Sequence, residues 1–297
     1  MMVFERVVAE NGFAACARDL GVSPAVVTRM VSALEDHLGV RLLQRTSRRL
    51  ALTPAGEAYL DRVRRILSDV DEAEEAVHSH AKEMSGNIRV LSLPGMATHV
   101  VAPAVAEFRR QHPAVTIELR SDVMASHGIQ DHDLTLLTDQ VAVPSEAVVR
   151  RVVKTTSILC ASADYIGRHG QPLGPLDLRQ HALLRLTLPD VGFGPLRLID
   201  ETDASREETI AVSPALTSNE HEAVLRSTLE GAGISSQALQ IAAPMLRTGH
   251  LRRVLAPWIS ERFTLVAAFA SRRHLPTRTR VFLEHLIRYA EQIEATA

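Results

Sequence analysis

Apolar residues recur at helical spacing through the first eighty positions, and beyond them the pattern gives way to short runs that alternate with amphipathic stretches. Residues 13 to 20, FAACARDL, place Phe13, Cys16, Ala17 and Leu20 at i, i+3, i+4 and i+7, the spacing of one buried helical face. Gly21 follows as a helix C-terminal cap, and Ser23-Pro24 then offers an N-cap hydroxyl with proline at the first helical position. One helix therefore stops and another starts within three residues. In the second, Val27, Met30, Val31, Leu34 and Leu38 form the apolar stripe and leave Ala25, Thr28, Arg29 and Ser32 on the opposite face. Gly39 ends it. VRLLQRTSRRLALT then predicts two short strands around Thr46-Ser47-Arg48, with Leu50 and Leu52 pointing inward.

Thr53-Pro54 repeats the hydroxyl-then-proline helix start. Leu60, Val63, Leu67, Val70 and Val77 follow as a heptad seam that Glu74 interrupts. A helix of about 25 residues at 1.5 Å each extends roughly 40 Å, too long for so small a module to bury, so a partner helix is expected. Ser85-Gly86-Asn87 breaks the pattern. NIRVLSL, VTIELRS and DLTLLTD then read as strands and THVVAPAVAEFRRQ as a helix, which predicts a parallel sheet with helices on its faces. Further strands are expected at Val152 to Ala161 and Phe263 to Ala270, and further helices at Glu220 to Glu230 and Thr279 to Glu294. The segment from Gly192 to Glu208 has no clear period. The fold class is α/β, preceded by two short helices about a tight turn, a strand hairpin and a long helix.

Composition refines this picture in two places. A chain of 297 residues with 46% hydrophobic and 4% aromatic content supports two or three domains with aliphatic cores. Its net charge of −2 would argue against a nucleic-acid partner were the charge evenly spread. It is not: Arg41 to Arg65 holds seven arginines against Glu57 and Asp61, whereas Asp69 to Glu75 is strongly acidic. Cys16 and Cys160 stand in apolar surroundings, which does not support a disulfide framework or a cysteine metal cluster. MMVFERVVAEN carries Glu5 and Arg6 inside its apolar stretch, and no apolar run approaches the roughly 18 residues of a spanning helix. The chain reads as cytoplasmic.

A helix, a short turn and a second helix with a polar face suit the major groove of DNA. Thr28 and Arg29 are placed to reach base edges, with Ser23, Pro24, Ala25 and Ser32 on the same surface; Arg45, Thr46, Ser47, Arg48 and Arg49 are placed to meet phosphates. The plainer reading is a helical hairpin with a solvated charged face.

The stretch GFAACARDLGVSPAVVTRMVSALEDHLGVRLLQRTSRRLALTPAGEAYL resembles the winged helix-turn-helix of the LysR-type transcriptional regulator (LTTR) family. The match runs in order through Phe13, Cys16-Ala17, Leu20, Ser23, Val27, Arg29, Leu34-Glu35, Leu38-Gly39, Leu42-Leu43, Arg45, Leu52-Thr53 and Ala55-Gly56. Beyond it, VAPAVAEFRRQHPAVTIEL, DLRQHALL, LEGAGI, LRTGHLRRVL and RRHLPTRTRVFLEHL resemble that family's effector-binding domain. The resemblance implies a DNA-binding domain at 1–53, a dimerising linker helix at 54–84, and an effector domain at 85–297 shaped like a periplasmic binding protein. Its lobe I would comprise about 87–155 and 265–297, and lobe II about 156–264. It also implies a homodimer or homotetramer on a partly palindromic operator, a small-molecule effector such as a small carboxylate or aromatic acid, and RNA polymerase as a further candidate partner. Three departures stand out. The chain begins at Met1-Met2-Val3, later than members of the family usually do, which leaves two readings, a short first helix or a misassigned start site. Cys16 replaces a usual alanine, and VMASHGIQDHDLTLLTDQ keeps its strand but loses the usual helix pattern before it.

In such α/β domains a ligand sits where strand ends and helix N-termini converge, because unpaired N–H groups there favour anions. That points to Ser92, Pro94, Met96 and Thr98 after the first strand, Thr138 and Asp139 after the third, and Ser218, Asn219 and Glu220 before a second-lobe helix. The competing reading is that these groups only cap helices. Gly231-Ala232-Gly233 follows a helix rather than a strand and reads as a helix C-cap, not a dinucleotide fingerprint. His78 with His80, and Asp131-His132-Asp133, read as solvated rather than metal-binding, and no metal or cofactor is expected. Trp258 beside Pro257 reads as packing. No G-x-S-x-G elbow, H-E-x-x-H or P-loop is present, so an enzyme is not expected. The alternative function is a cytoplasmic small-molecule-binding protein or enzyme whose N-terminal module only dimerises.

Overall fold

The structure, a computed structural model, describes residues 1–45, 50–78, 84–187, 194–270 and 275–295. Its contacts divide the chain into two units, Met1–Lys82 and Glu83–Ala297. In the first, α1 (Met2–Ala9), α2 (Phe13–Asp19) and α3 (Pro24–Leu38) close on a core of Phe4, Val7, Cys16, Ala17, Val27 and Val31. Gly21 turns the chain between α2 and α3 at φ +66°, where a side chain would strain the backbone. Ser23 takes the N-cap position of α3, but its hydroxyl makes no capping bond; Pro24 at the first helical position leaves one fewer N–H to satisfy. β1 (Leu43–Arg45) pairs antiparallel with β2 (Leu50–Leu52), and Leu50 and Leu52 pack half-buried against the core, as alternation predicts. The predicted hairpin tip, Thr46, Ser47, Arg48 and Arg49, lies outside the described residues.

α4 (Pro54–His78) starts hard against this hairpin. Thr53 Oγ1 accepts the Gly56 N–H at 2.9 Å and donates to the Arg41 carbonyl at 2.7 Å. A Cβ on Gly56 would stand 2.0 Å from the Leu42 carbonyl oxygen, so any other residue would force the helix off the strand.

Several predicted core positions in this unit are corrected. Leu20 is 36% exposed because α2 has already ended at Asp19, and Leu20 belongs to the turn. Met30 is 51% exposed, one step round α3 from the buried row Val27, Val31 and Glu35, and Leu38 is exposed at the helix end. Of the expected dimerisation seam, Leu60 and Val63 are buried within this unit, Leu60 in the same core as Phe4 and Val27. Leu67 is half-buried and Val70 is exposed, next to an exposed Ile66. The side chain of Val77 lies outside what is described.

The second unit begins with β3 (Gly86–Ser92), which is parallel to both its neighbours, β4 (Val115–Ser121) and β5 (Leu134–Thr138). Between β3 and β4 one helical rod runs as α5 (Pro94–Met96), a π turn (Ala97–Val101) and α6 (Ala102–Gln111). Before β5, where the sequence loses its helix pattern, a single 3₁₀ turn (Ala125–Gly128) buries Ala125. Then comes β6 (Val148–Ser162), followed by α7 (Ala163–His169), β7 (Leu183–Leu186), β8 (Leu196–Asp200), β9 (Glu207–Ile210), β10 (Pro214–Ser218) and α8 (His221–Leu229). The chain continues through β11 (Ile234–Ala238), α9 (Leu239–Arg247), β12 (Leu251–Arg253), β13 (Trp258–Phe269) and α10 (Thr277–Ala295).

The expected parallel sheet is mixed. Its order is β10-β7-β11-β6-β13-β5-β3-β4, and β13 inserts antiparallel between β5 and β6. β6 and β13 pair along nearly their whole length. β5 borders β13 at residues 265–268, whereas β11 borders β6 at residues 157–160, so the two long strands run through both lobes. One lobe packs α6 and α10 on the sheet through Phe108, Phe282, Leu283 and Leu286; the other centres on Leu159, Leu178, Leu183, Leu198 and Val254. The unplaced segment after Gly192 holds β8 and β9, an antiparallel hairpin whose β8 also pairs with β13. Trp258 opens β13 with the Arg206 guanidinium 5.4 Å above its ring. Among the described residues no helix is long and apolar enough to cross a membrane.

Candidate functional site

In the first unit, α3 presents an open surface at its start. Ser23, Pro24, Ala25 and Arg29 are exposed, and Thr28 and Ser32 are half-buried beside them. The opposite row holds the helix down, and its last member is unusual. Glu35 is 4% exposed and accepts the N–H groups of Leu42 and Leu43 at 2.7 and 3.0 Å through one carboxylate oxygen. Arg41 approaches its other oxygen at 3.9 Å. One buried carboxylate thus fixes the hairpin to the end of α3, which sets the basic strand relative to the exposed helix face. Arg45 lies at the end of β1.

In the second unit a cavity of ≈ 530 Å³ opens over the ends of β3 and β5 and one face of β6, β11 and β13. Its wall is largely apolar, with Leu159, Leu183, Leu184, Leu196, Ile234 and Phe263. Ser157, Ser236 and Ser260 form a polar spot where three strands meet: Ser260 Oγ donates to the Ser157 carbonyl at 3.2 Å, and the hydroxyls of Ser236 and Ser260 are hydrogen-bonded. Arg185 lies at the wall with its guanidinium on the Gly194 carbonyl, and Arg197 is held by Glu207 through two bonds of 3.1 and 2.5 Å.

Of the nine sequence-predicted cavity residues, Pro94, Met96, Thr138 and Asn219 line this space. The other five do not, each for a local reason. Ser92 is fully buried in β3, with its hydroxyl on the Leu93 carbonyl. Thr98 is exposed and bonds back to Pro94. Asp139 accepts the Thr264 N–H at 2.9 Å, and that bond holds its carboxyl below the ordinary aspartate range. Ser218 accepts the Glu220 N–H, and Glu220 in turn caps α8 by accepting the Glu222 N–H. For these last two the capping alternative describes what the groups do.

The sequence reading missed the serine spot and a group at the cavity rim: His99 on the π turn, with His221 and Glu222 at the start of α8. His221 lines the cavity. These residues are remote in sequence, and no spacing rule brings them together. Of the weaker candidates, Gly231 does follow α8 as a positive-φ turn. Asp133 is engaged by Arg89 through its backbone N–H and side chain, and His132 by the Gly128 carbonyl. The side chain of His78 and all of His80 lie outside what is described. Cys16 and Cys160 are free and buried, and burial pushes the Cys160 thiol up to about 12.

Comparison with known proteins bears on both sites. Residues 1–57 match the bacterial regulatory helix-turn-helix protein, lysR family, and residues 81–291 match the LysR substrate binding domain. The HTH-type transcriptional regulator DmlR of Escherichia coli is 32% identical over 295 residues, covering 97% of this chain and 93% of that protein. The uncharacterized HTH-type transcriptional regulator YhjC of the same organism is 32% identical over 288 residues, covering 96% and 95%. Among solved structures, CrgA, a LysR-type transcriptional regulator from Neisseria meningitidis, superposes with a TM-score of 0.62 at 27% identity, covering 97% of each chain. With a helix-turn-helix at one end, a two-lobed α/β domain at the other, and both family matches in register with them, this chain belongs to the LysR family of DNA-binding transcriptional regulators.

Proposed function

We propose that this regulator reads its operator with the exposed start of α3 and responds to a small organic acid held in the cavity of its second unit. The observation that carries the first half is the two-sided character of α3. Its Val27–Val31–Glu35 row is buried while Ala25 and Arg29 stand free on the surface, the arrangement a recognition helix needs to enter a major groove. Arg29, with Thr28 and Ser32 beside it, takes the base edges. Arg45, Thr46, Ser47, Arg48 and Arg49 take the phosphates, whose contacts position the protein without reading sequence. A homodimer places two such helices on the half-sites of a partly palindromic operator.

The cavity supports the second half. Its volume falls within the roughly 300–1,000 Å³ of small-molecule sites, and an apolar wall with a few convergent polar groups is what a carboxylic acid with an aromatic or branched body requires. Arg185 and the serine spot supply the polar partners. Binding changes operator affinity only as far as the acid prefers one arrangement of the lobes over another.

Footprinting of the chain on the DNA upstream of its own coding sequence, at two salt concentrations and with random-sequence competitor, tests the reading. Arg29→Ala is expected to lose about 1–3 kcal/mol of discrimination between operator and random DNA, whereas Arg48→Ala weakens both together and lowers the salt slope by about one. Equal losses on both DNAs for both variants would remove the base-reading role from α3.

A further inference from the structure

At the cavity rim the rod after β3 and the start of α8 bring together His99, His221 and Glu222, whose ligand-capable atoms all lie within 4.8 Å of one another. His99 Nε2 is 2.7 Å from Glu222 Oε1, and His221 Nδ1 is 3.5 Å from the same oxygen. The three side chains are 20%, 14% and 45% exposed, so they are sheltered yet reachable. A single hydrogen bond between His99 and Glu222 explains one of these contacts. The second imidazole, set edge-on to the first at 6.2 Å between ring centres, reaches the same carboxylate oxygen only through a long hydrogen bond of 3.5 Å.

We infer that His99, His221 and Glu222 form a binding site for a divalent transition-metal ion of the zinc class, tying the rod after β3 to the start of α8 at the rim of the effector cavity. Two imidazoles and a carboxylate are a donor set that zinc accepts, with each donor about 2.1 Å from the ion. Tetrahedral donors at that distance stand about 3.4 Å apart. The two separations to Glu222 Oε1, 2.7 and 3.5 Å, stand on either side of that value, and no two of the three ligand atoms are more than 4.8 Å apart.

The surroundings of His221 favour the ligand form. The His221 side chain is 14% exposed, and burial holds its ring below the ordinary histidine range against the opposing pull of Glu222. Gln237 is 1% exposed, its amide N–H group donates to Ser235, and its buried side-chain oxygen has no partner other than the His221 ring it lies against. That oxygen is the acceptor a metal-bound imidazole needs for its remaining N–H, the bond that fixes tautomer and ring orientation. One force opposes the site: the N-terminus of α8 carries a partial positive charge. Glu222 and the capping Glu220 set two carboxylates against it.

Metal uptake stands on these residues alone; its regulatory consequence rests on the function proposed above. His99 follows a β3-end segment that lines the cavity and His221 lines it directly, so an ion shared between them favours the arrangement in which they meet. By linkage, the factor by which the ion changes effector affinity is the factor by which the effector changes affinity for the ion.

The test uses the full-length protein, stripped with chelator and titrated with zinc chloride by calorimetry and with cobalt(II) by visible absorption. One ion per chain is expected, and X-ray absorption of the zinc-loaded wild type should show two imidazole ligands. The double variant His99→Ala/His221→Ala should lose stoichiometric uptake, with circular dichroism confirming its fold. Gln237→Leu should keep the stoichiometry and bind about 10- to 100-fold more weakly. No stoichiometric uptake by the wild type, imidazole scattering absent from its spectrum, or a folded double variant that binds as tightly as wild type overturns the site. Footprinting in EDTA runs alongside. Operator protection absent both in EDTA and with zinc restored, while zinc uptake is intact, would defeat the regulatory reading alone, and protection without stoichiometric zinc uptake would defeat the metal site alone.

Discussion

Glu35 shows how much of the DNA-facing unit hangs on one side chain. Its carboxylate is the acceptor for two consecutive backbone N–H groups at the start of the hairpin, in a setting that water does not reach. Removing the acceptor leaves both donors buried and unpaired, and each such donor costs about 1–3 kcal/mol. Glu35→Ala should therefore destabilise the first unit by about 2–4 kcal/mol, whereas Glu35→Gln, which keeps a carbonyl oxygen, should cost less than half of that. Urea melts followed through the amide exchange of α2 and α3 would measure both, and equal losses for the two variants would show that the acceptor is not what matters. The sequence marks Glu35 as a charged residue next to Leu34 in a family pattern. That it would be buried could not be read from it, because its partners lie beyond the end of its own helix and depend on where the hairpin packs.

At the scale of elements, legibility follows the range of the forces involved. The α2–turn–α3 motif, both hairpin strands, the start of α4 and the strands β3, β4 and β5 were all written in local periodicity, glycine placement and helix-start residues. The mixed sheet was not. β13 reaches its place between β5 and β6 from more than a hundred residues away, and its alternation says nothing about which neighbours it will find. The heptad on α4 shows the same limit within one helix. Its period is real, yet Leu60 and Val63 are taken up by the unit's own interior, and among the described side chains that follow, Ile66 and Val70, one turn apart, are 44% and 47% exposed. If protomers pair through that surface, Ile66→Glu/Val70→Glu should convert a dimer to monomers in light scattering. With less than half of each side chain still exposed, burying two of them on each protomer contributes about 0.7–1.4 kcal/mol apiece, so dissociation should rise by at least about 10²-fold. A dimer of unchanged mass would place the interface elsewhere. Leu60→Glu is not an equivalent probe, because it would unfold the unit first.

For the molecule as a whole, the cavity is the feature that local reading had least chance of finding, since Ser157, Ser236 and Ser260 come from three strands that meet only in the finished sheet. Four of the nine residues expected there are present because strand ends and helix starts do converge on it; the other five are spent on the caps and backbone bonds that shape the convergence. This division suggests a way to separate effector sensing from DNA reading. Ser236 is exposed on the cavity face of β11, so Ser236→Trp places an indole in the ≈ 530 Å³ space without displacing a buried neighbour. In a thermal-shift screen of aromatic and branched carboxylic acids, an acid at a hundred times its Kd should stabilise the wild type by about 2.7 kcal/mol. The Ser236→Trp variant should show no shift with the same acid while keeping operator affinity within about threefold when no acid is present, because the substitution touches neither α3 nor the hairpin. A variant that still responds to the acid would mean that it binds outside this cavity. A variant that loses operator affinity with no acid added would mean that filling the cavity is itself the signal the effector delivers, and the indole would then be acting as a built-in ligand.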